Sequence, residues 1–290
     1  MLRQVWRHRS NADERPRAIA RAIRWQLRSR VSGPQDVQVY GGLILRCHPR
    51  SNSASNVHYF TPFYDYDEMH LLAAVLRPGG HFVDVGANIG TYSLLAASIV
   101  GTQGRVTAFE PAEPAASRLE ENARINALDH IIRVHRRAAG REPGRMQMTS
   151  AADVSNTLVL ETHSRRPTRA VDIVALDDVV ADPDAVKIDV EGFETQTLLG
   201  MRRVLTGPRP PMLLVEVTPH LLGRAGSSPT ELAAILTRAG YDLYTCDWRA
   251  RRLTRVRVSD DDVRQINAVA IRSDVLADTA ARAGVTVAPA

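Results

Sequence analysis

The residues best suited to chemistry begin at positions 82–93, which read FVDVGANIGTYS. An apolar run carrying Asp84 leads into the glycine turn from Gly86 to Gly90, and a second apolar run follows directly. Glycines let the backbone approach a ligand closely, and ligands of open α/β sheets bind at the carboxyl ends of strands. The G-x-N-x-G spacing lacks the third glycine that is typical of dinucleotide-binding oxidoreductases. Because a strand-end acid suits an ammonium group, the pattern favours an adenosyl amino acid over a pyrophosphate.

A second acid, Glu110, stands 20 residues after Gly90 and closes the run RVTAFE. An acid at the end of the second strand of such a unit is placed to accept hydrogen bonds from two ribose hydroxyls. An isolated acid at a strand end is more often a solvated loop residue. The glycine turn that precedes it favours the ribose role for Glu110.

A third cluster lies in VKIDVEGFE, positions 186–194. Side chains alternate along a strand, so Lys187, Asp189 and Glu191 share one side. Charged groups in a buried strand are costly unless they are paired or functional. Lys187 is the only lysine of the chain, and we interpret it as an ion-pair partner that orients Asp189 or Glu191. The alternative is a purely structural pair between a lysine and a carboxylate.

A regular alternation of strand and helix patterns from residue 67 onward supplies the elements that must position these side chains. Such alternation predicts an α/β fold with a doubly wound, mostly parallel sheet. Near-continuous apolar strands fit burial of both sheet faces. The predicted strands are 81–85, 105–110, 131–139, 171–180, 185–190, 212–217, 241–246 and 266–271, and the predicted helices are 68–76, 91–100, 115–127, 195–205 and 229–240.

The composition is that of an ordinary globular protein, with 44% hydrophobic and 24% charged residues among 290. Two cysteines exclude a disulfide framework and indicate a reducing compartment. No apolar run approaches ~18 residues, which excludes a membrane-spanning helix, and no signal-peptide pattern opens the chain. We therefore expect a cytoplasmic protein.

The basic character of the chain is concentrated in its first 31 residues, which carry nine arginines and two acids, whereas the remainder has a net charge of −2. Positions 14–30 predict an amphipathic helix with Ile19, Ile23 and Leu27 on one stripe. We expect this stripe to pack against the body and the arginines to be solvated. The alternatives are a helix that lies peripherally on a membrane surface and a handle for an acidic partner.

Residues 33–66 are polar and connect this helix to the regular region. Short apolar pieces on either side of Gly41 and Gly42 predict a hairpin. Five aromatic residues then crowd one short segment, and they form either an aromatic wall over a ligand or an ordinary satellite cluster. They are Tyr59, Phe60, Phe63, Tyr64 and Tyr66.

Taken in order, VDVGANIGTYS, AFEP, VALDDV, VKIDVEGFETQTLLGM and LLVEV resemble the FkbM family of S-adenosylmethionine-dependent methyltransferases. The resemblance runs from about Glu68 to Ile271. It implies a Rossmann-like class I methyltransferase fold, with a seven-stranded sheet whose last strand, INAVAI, is antiparallel. The chain then divides into an N-terminal extension (1–66), a methyltransferase domain (67–275) and a C-terminal tail (276–290). The implied reaction is methyl transfer to a hydroxyl oxygen of a sugar, a polyketide or a similar small metabolite.

The resemblance also implies site roles, carried over position by position. The glycine turn and Asp84 would hold the methionine end of S-adenosylmethionine. Glu110 with Pro111 would hold the ribose, and the segment after the third strand would approach the adenine. The implied cofactor-binding residues are Asp84, Gly86, Ala87, Asn88, Gly90, Glu110, Pro111, Ala138, Ala139 and Asp189.

A hydroxyl is a poor nucleophile until its proton leaves, so a general base is expected. Asp189 is the first candidate, because its strand end faces the expected methyl position. His220, which follows LLVEVTP, is the second, because histidine titrates near neutral pH. Lys187 would orient the base, and Glu191 and Glu216 would bind acceptor hydroxyls. Carboxylates also suit Mg²⁺, but no ligand spacing requires it, and no zinc pattern is present.

Two other function classes stay open at this point. An RNA methyltransferase would use the basic arm against phosphates, but the body is net negative, and DVEGF stands where an Asn-Pro-Pro-aromatic turn would be. A non-catalytic binding module would keep the body as a vestigial cofactor fold, which the intact motifs disfavour. We therefore expect a small hydroxylated acceptor as the partner, and neither a sequence-specific nucleic acid nor a transmembrane segment.

Overall fold

The computed structural model of the chain describes residues 1–49, 51–60, 63–149, 158–159 and 168–288. The helices in these ranges are α1 (Leu2–Arg7), α2 (Arg15–Arg28), α3 (Asn52–Phe60), α4 (Tyr66–Val75), α5 (Thr91–Val100), α6 (Glu113–Ile125), α7 (Glu194–Leu199), α8 (Arg202–Thr206), α9 (Pro219–Arg224), α10 (Pro229–Arg238) and α11 (Leu276–Ala283). The strands are β1 (Gln35–Gln38), β2 (Ile44–Cys47), β3 (His81–Val85), β4 (Arg105–Phe109), β5 (Ile132–His135), β6 (Ala138–Ala139), β7 (Gly144–Thr149), β8 (Leu158–Val159), β9 (Thr168–Val174), β10 (Ala185–Ile188), β11 (Met212–Val217), β12 (Tyr241–Asp247), β13 (Arg252–Arg255), β14 (Ile266–Arg272) and β15 (Thr286–Ala288).

The main sheet has the strand order β15-β13-β12-β14-β11-β10-β3-β4-β5. Strands β5, β4, β3, β10 and β11 are parallel, and β14 runs antiparallel between β11 and β12. The Rossmann-like α/β fold is confirmed, including the antiparallel INAVAI strand. The seven expected strands are β5, β4, β3, β10, β11, β14 and β12, and the sheet reaches nine strands within the described residues. Strands β13 and β15 extend it beyond β12, and neither carries the apolar run that identifies the inner strands.

The segment 276–290, which the sequence analysis sets apart as a tail, contributes to the fold over its described part. Helix α11 contacts α4, and β15 pairs in parallel with β13. Gly284 ends the helix in the left-handed region at φ 65°, a conformation that glycine adopts without strain. The C-terminal residues through 288 therefore cover one edge of the main sheet.

Helices cover both faces of the main sheet, as the doubly wound prediction requires. Phe82 faces the layer that holds α4 and α5, whereas Val83 and Val85 face the layer that holds α7 and α10. This alternation follows from the period of two along a strand. Asp84 and Lys187 therefore lie on the α5 face, where the parallel register of β3 and β10 places them side by side.

The predicted strand 131–139 is interrupted, and the interruption shapes the site. Its first part is β5, at the edge of the main sheet, whereas its last two residues form β6 in a second sheet of order β6-β9-β7-β8. The predicted strand 171–180 begins earlier, at Thr168, and belongs to this second sheet. Ala138 and Ala139 thereby leave the plane of the main sheet.

The N-terminal extension contains the predicted hairpin, in which β1 pairs with β2 around Gly41 and Gly42 at φ 61° and 84°. The predicted amphipathic helix is α2, but its packing differs from the prediction. Ala18, Ala22 and Trp25 are the buried residues of α2, whereas Ile23 and Leu27 are exposed.

Helix length in the described ranges bears on membrane insertion. No helix there is long and apolar enough to cross a bilayer.

Candidate active site

A cavity of about 500 Å³ opens at the carboxyl ends of β3, β4, β10 and β11. Turns after these strands form one side of its wall. Residues of the N-terminal extension and of the second sheet form the rest. The sequence-predicted site residues in the wall are Gly86, Ala87, Asn88, Glu110, Pro111, Ala138, Ala139, Lys187, Asp189, Glu191 and Glu216.

Glycine is required at two positions of the turn after β3. Gly86 has φ 79°, and a Cβ there would lie 1.8 Å from the carbonyl oxygen of Asp189. Gly90 has φ 91°, and its Cβ would lie 2.8 Å from the Cγ of Leu119. The missing side chains let the ends of β3 and β10 touch and let α5 begin against α6. Gly90 itself lies behind the cavity wall rather than in it.

The backbone N–H groups of this turn are bonded within the protein. Gly86 and Ala87 donate to the carbonyl oxygen of Phe109 at 2.9 and 3.0 Å, and Asn88 donates to Glu110 Oε2 at 2.8 Å. A pyrophosphate site uses free N–H groups of this kind. The arrangement therefore disfavours a dinucleotide, which agrees with the missing third glycine.

Asp84 is fully buried and does not line the cavity. Its Oδ2 accepts a hydrogen bond of 2.6 Å from Ser93 Oγ, and its Oδ1 lies 3.8 Å from Lys187 Nζ. Burial raises the pKa of Asp84, while Lys187 and Ser93 oppose the rise. Its carboxylate therefore anchors Lys187 and the start of α5, and the structure does not bring it to the position expected for a cofactor contact.

Lys187 connects Asp84 to the cavity. Its Nζ lies 3.1 Å from Asp189 Oδ2 and 5.2 Å from the ring centre of Tyr92. Burial alone lowers the pKa of Lys187, but the carboxylates of Asp189 and Asp84 outweigh burial and raise it above its ordinary value. Lys187 is therefore a permanent cation that orients Asp189, and the structure shows the ion pair inferred from the sequence.

Glu110 is buried in the wall, and two backbone groups fix its carboxylate. Oε2 accepts from Asn88 N–H, and Oε1 accepts from Ala112 N–H at 2.7 Å. Burial raises the pKa of Glu110 to about 7, against the opposing effect of these two hydrogen bonds. Each oxygen keeps a lone pair for one more donor. The group can thus receive two neighbouring hydroxyls.

Beyond Glu110 the wall becomes apolar. Ala138 and Ala139 of β6 lie there with Met148 of β7, and Arg137 stands at the exposed margin. Small apolar side chains leave room for a flat heteroaromatic ring. These two strand positions carry no polar side chain, so a ring bound there would contact small apolar groups and the backbone.

On the other side of Lys187, three carboxylates converge. Asp189 and Glu191 follow β10, and Glu216 lies in β11. Glu191 adopts the left-handed region at φ 54°, which is uncommon outside glycine and places its side chain in the cavity wall. Glu194, the first residue of α7, closes this turn by accepting from the N–H groups of Val190 and Gly192 at 3.0 and 3.1 Å.

Two of these carboxyl groups, those of Glu191 and Glu216, hold their protons more tightly than exposed acids do. Burial and the charge of Asp189 raise the pKa of Glu191 to about 7. The same two causes raise the pKa of Glu216 to about 9, and the amide of Gln265 donates to its Oε1. At neutral pH, Glu216 is therefore a neutral hydrogen-bond donor, while Glu191 is near its midpoint.

The sequence model of the methyltransferase FkbM domain matches residues 84–243, more than half of the chain. The chain belongs to the FkbM methyltransferase family. It is accordingly an S-adenosylmethionine-dependent methyltransferase by class. A curated relative, the hexuronic acid methyltransferase AglP of Haloferax volcanii, is 29% identical over 176 residues, which cover 60% of this chain and 69% of AglP.

The chain is also similar, at low identity, to two solved structures. The FkbM methyltransferase of Methylobacillus flagellatus is 18% identical with a TM-score of 0.45, and the alignment covers 88% of this chain. This chain spans 60% of the length of that protein. An S-adenosylmethionine-dependent O-methyltransferase of Thermotoga maritima is 16% identical with a TM-score of 0.43, over 82% of this chain and 77% of its own.

The sequence analysis missed the residues that the N-terminal extension of this FkbM protein adds to the cavity. Asp65 is the most polar of them, and its Oδ2 accepts from Tyr92 OH at 3.0 Å. Burial raises the pKa of Asp65 to about 6, and the hydrogen bond from Tyr92 opposes the rise. The aromatic cluster was the only signal in the sequence, and two of its five members, Phe60 and Tyr64, line the wall. The other additions are His8, Ser53 and Asn56.

Neither the second candidate base nor a metal-binding group is found among the described residues of the cavity wall. His220 is exposed on α9, and the structure does not bring it into the wall. Asp177 caps α8 by accepting from the N–H groups of Arg203 and Val204, and it does not line the cavity that holds the other carboxylates. Among the described residues, no group of three or more His, Cys, Asp and Glu is arranged to hold a metal ion.

Proposed function

We propose that this FkbM methyltransferase transfers the methyl group of S-adenosylmethionine to a hydroxyl oxygen of a small, sugar-like acceptor. The observation that carries the proposal is the row of Asp189, Glu191 and Glu216 at the carboxyl ends of β10 and β11. Carboxylates side by side suit an acceptor with several hydroxyls, because each accepts or shares a hydrogen bond.

The cavity fits a cationic cofactor. Its wall carries five carboxyl groups, and Lys187 is already paired with two carboxylates. The ionised members of this set favour a sulfonium or an ammonium group nearby and disfavour a phosphate beside them. This disfavours the RNA methyltransferase alternative. The five groups are Asp65, Glu110, Asp189, Glu191 and Glu216.

Different parts of the wall would bind the ribose, the adenine and the methionine end of the cofactor. Glu110 has the lone pairs for the two ribose hydroxyls, and Ala138 and Ala139 accommodate the adenine. Because Asp84 is behind the wall, Asp65 and Asp189 are the carboxylates that face the methionine end. S-adenosylmethionine, when bound, supplies an electrophilic methyl group together with its leaving group.

The remaining side chains prepare the acceptor. Asp189, held by Lys187, accepts the proton of the attacking hydroxyl. Glu216, protonated at neutral pH, donates to a neighbouring hydroxyl oxygen, and Glu191 accepts from another. The chain therefore contributes position and a proton acceptor, which is what an in-line displacement needs from a protein.

The acceptor class is drawn from the AglP relative, which is a hexuronic acid methyltransferase. A hexuronic acid carries a carboxylate as well as hydroxyls. Arg137 lines the cavity and has no ion pair with any described residue, so it is available to such a carboxylate. We therefore propose an acidic sugar as the acceptor of first choice.

Cofactor binding is tested by calorimetric titration with S-adenosylmethionine and with S-adenosylhomocysteine. We expect micromolar binding that weakens at least about tenfold in Glu110→Ala, because two hydroxyl contacts are lost. Glu113→Ala, which removes an exposed acid that pairs with Arg136 outside the cavity, should bind normally. Folded wild-type protein that binds neither compound, or Glu110→Ala that binds as wild type, would contradict the assignment.

The acceptor is tested by incubating the protein and S-adenosylmethionine with hexuronic acids, matched neutral hexoses and simple polyketide alcohols, with and without Mg²⁺. We expect one methyl group on the acidic sugar, and a loss of preference over the neutral hexose in Arg137→Gln. Mild alkali separates the two oxygen classes, since it hydrolyses a methyl ester and leaves a methyl ether intact. An alkali-labile product would move the reaction to the sugar carboxylate and overturn the hydroxyl assignment.

A further inference from the structure

The first 31 residues expose an unusual amount of apolar surface. Trp6 is 47% exposed, Ile23 44% and Leu27 62%. Most of the large exposed hydrophobic side chains of the described chain belong to this stretch, which we call the N-terminal face. Its apolar members are Met1, Leu2, Trp6, Ile23, Leu27 and Val31.

Helix α2 creates this face by the way it packs. Its buried side uses small residues and one ring: Ala18, Ala22 and Trp25 are at most 2% exposed, and Trp25 Nε1 donates to Ser55 Oγ of α3 at 3.0 Å. Arg21 lies on the same side and donates to the carbonyl oxygen of His58 at 2.7 Å. Because these contacts fix the helix orientation, Ile23 and Leu27 cannot turn inward without breaking them.

Unpaired arginines surround the exposed apolar side chains. The stretch holds nine arginines and only two acids, Asp13 and Glu14. Arg9 pairs with Asp67 and Asp247, Arg17 pairs with Glu14, and Arg21 is used in packing. The Cζ atom of Arg15 lies 5.8 Å from the ring centre of Trp6, which places charge and apolar surface together. The arginines without an ion pair to any described residue are Arg3, Arg7, Arg15, Arg24, Arg28 and Arg30.

We propose that the N-terminal face docks on an anionic lipid surface. Arginines attract the headgroup charge, and the apolar side chains between them enter the headgroup and acyl boundary. Charge alone would equally suit RNA. A phosphate backbone, however, gives Ile23 and Leu27 nothing apolar to contact, whereas a bilayer covers both kinds of side chain. The inference is independent of the acceptor, since it uses no cavity residue.

Vesicle binding tests the proposal with an intrinsic reporter. Of the three tryptophans, Trp25 and Trp248 are buried at 2% and 9% exposure, so Trp6 is the one open to solvent. We expect its emission to shift to shorter wavelength, and its quenching by acrylamide to fall, with vesicles containing phosphatidylglycerol. Pure phosphatidylcholine vesicles should give neither change, and high salt should weaken the anionic binding. Trp6→Phe should remove the signal but not the co-sedimentation.

Two double variants separate charge from apolar contact. Arg24→Gln with Arg28→Gln should weaken vesicle affinity roughly 25-fold, at about fivefold for each arginine. Ile23→Ser with Leu27→Ser should weaken it roughly tenfold or more, because apolar burial is lost. Matched controls are Val263→Ser, at an apolar side chain that is 90% exposed elsewhere, and Arg238→Gln with Arg257→Gln. Both controls should bind as wild type.

Three results would overturn the proposal. The first is the absence of binding to anionic vesicles by folded protein at low salt. The second is wild-type binding by the Ile23→Ser, Leu27→Ser variant, which would reduce the face to a general polyanion site. The third is a short RNA that displaces the protein from vesicles while binding that variant undiminished, since this would assign the face to nucleic acid.

Discussion

The carboxylates at the two ends of the cavity differ in how the protein bonds them. At the glycine-turn end, Glu110 accepts from two backbone N–H groups, and Asp84 is held by Ser93 and Lys187. At the other end, Gln265 donates to Glu216, while Glu191 has no hydrogen bond from any residue in the described ranges. Backbone donors fix the carboxylate of Glu110 at the glycine-turn end, whereas Glu191 at the other end is left for a ligand to bond.

This difference explains why the two ends suit different partners. An end whose carboxylate is fixed by backbone donors presents the same geometry to every cofactor molecule. Burial raises the pKa of carboxyl groups at both ends, and at Glu191 and Glu216 a hydroxylated acceptor can supply hydrogen bonds that the protein leaves out. On the assignment proposed above, the glycine-turn end is the cofactor end, and the end with Glu191 and Glu216 is the acceptor end.

The largest expected effect comes from Asp189→Asn, which removes the proton acceptor without changing shape. Turnover should fall by about 10²–10⁴-fold, the usual contribution of a general base, while the affinity for S-adenosylhomocysteine changes little. Glu110→Gln should show the reverse, with weaker cofactor binding but near-normal turnover at saturating cofactor. Steady-state kinetics with calorimetry measures both. If the two variants lost turnover and affinity in the same proportion, the two ends would not be functionally distinct.

Much of this fold was predictable from the sequence, and the misses have a physical cause. The predicted limits of strands 81–85 and 212–217 match the observed ones, because apolar runs bounded by glycine and proline indicate buried strands. Strand β15 forms the edge of the sheet, and strand β13, which reads RLTR, lies next to it; neither has the continuous apolar pattern of the inner strands. Their position depends on tertiary pairing that short polar segments do not reveal.

The residues of the site were likewise predicted only in part. Glu110, Asp189 and Glu216 could be placed in one cavity because carboxyl ends of parallel strands meet at one sheet edge. Asp84 was assigned to the cofactor, yet its strand face directs it to Ser93 on α5. Asp65 escaped prediction altogether, since it reaches the cavity through packing of the N-terminal extension, and contacts between segments distant in sequence leave no periodic signal.

A smaller effect should appear in the pH dependence of stability. The folded-state pKa values of about 7 for Glu191 and about 9 for Glu216 lie above the ordinary value of 4.5. The protonated folded form is therefore favoured, and its contribution is complete below about pH 4.5 and lost as pH rises through 7 and then 9. The unfolding temperature of the ligand-free protein should thus fall between pH 6 and pH 9.

Variants of two acids test which end causes this fall. Glu216→Gln cannot ionise, so it should flatten the curve above pH 7. Glu142→Gln, at a side chain that is 77% exposed, should leave the curve unchanged. Differential scanning calorimetry measures the change of unfolding temperature with pH. If this change is unaltered in Glu216→Gln, the ionisation of Glu216 does not cause the fall.

The smallest effect concerns the contact between the N-terminal extension and the glycine-turn end of the cavity. Ser53 Oγ of α3 donates to Asn88 Oδ1 at 2.8 Å, and Asn88 holds the left-handed φ of 50° while its N–H binds Glu110. Ser53→Ala should weaken cofactor binding by about 3–10-fold, the usual value of one neutral hydrogen bond. Ser55→Ala is the matched control, because Ser55 lies on the same helix but bonds Trp25 instead. Equal losses in both variants would show that α3 acts through folding alone. A loss of affinity confined to Ser53→Ala would show that the N-terminal extension contributes directly to cofactor binding.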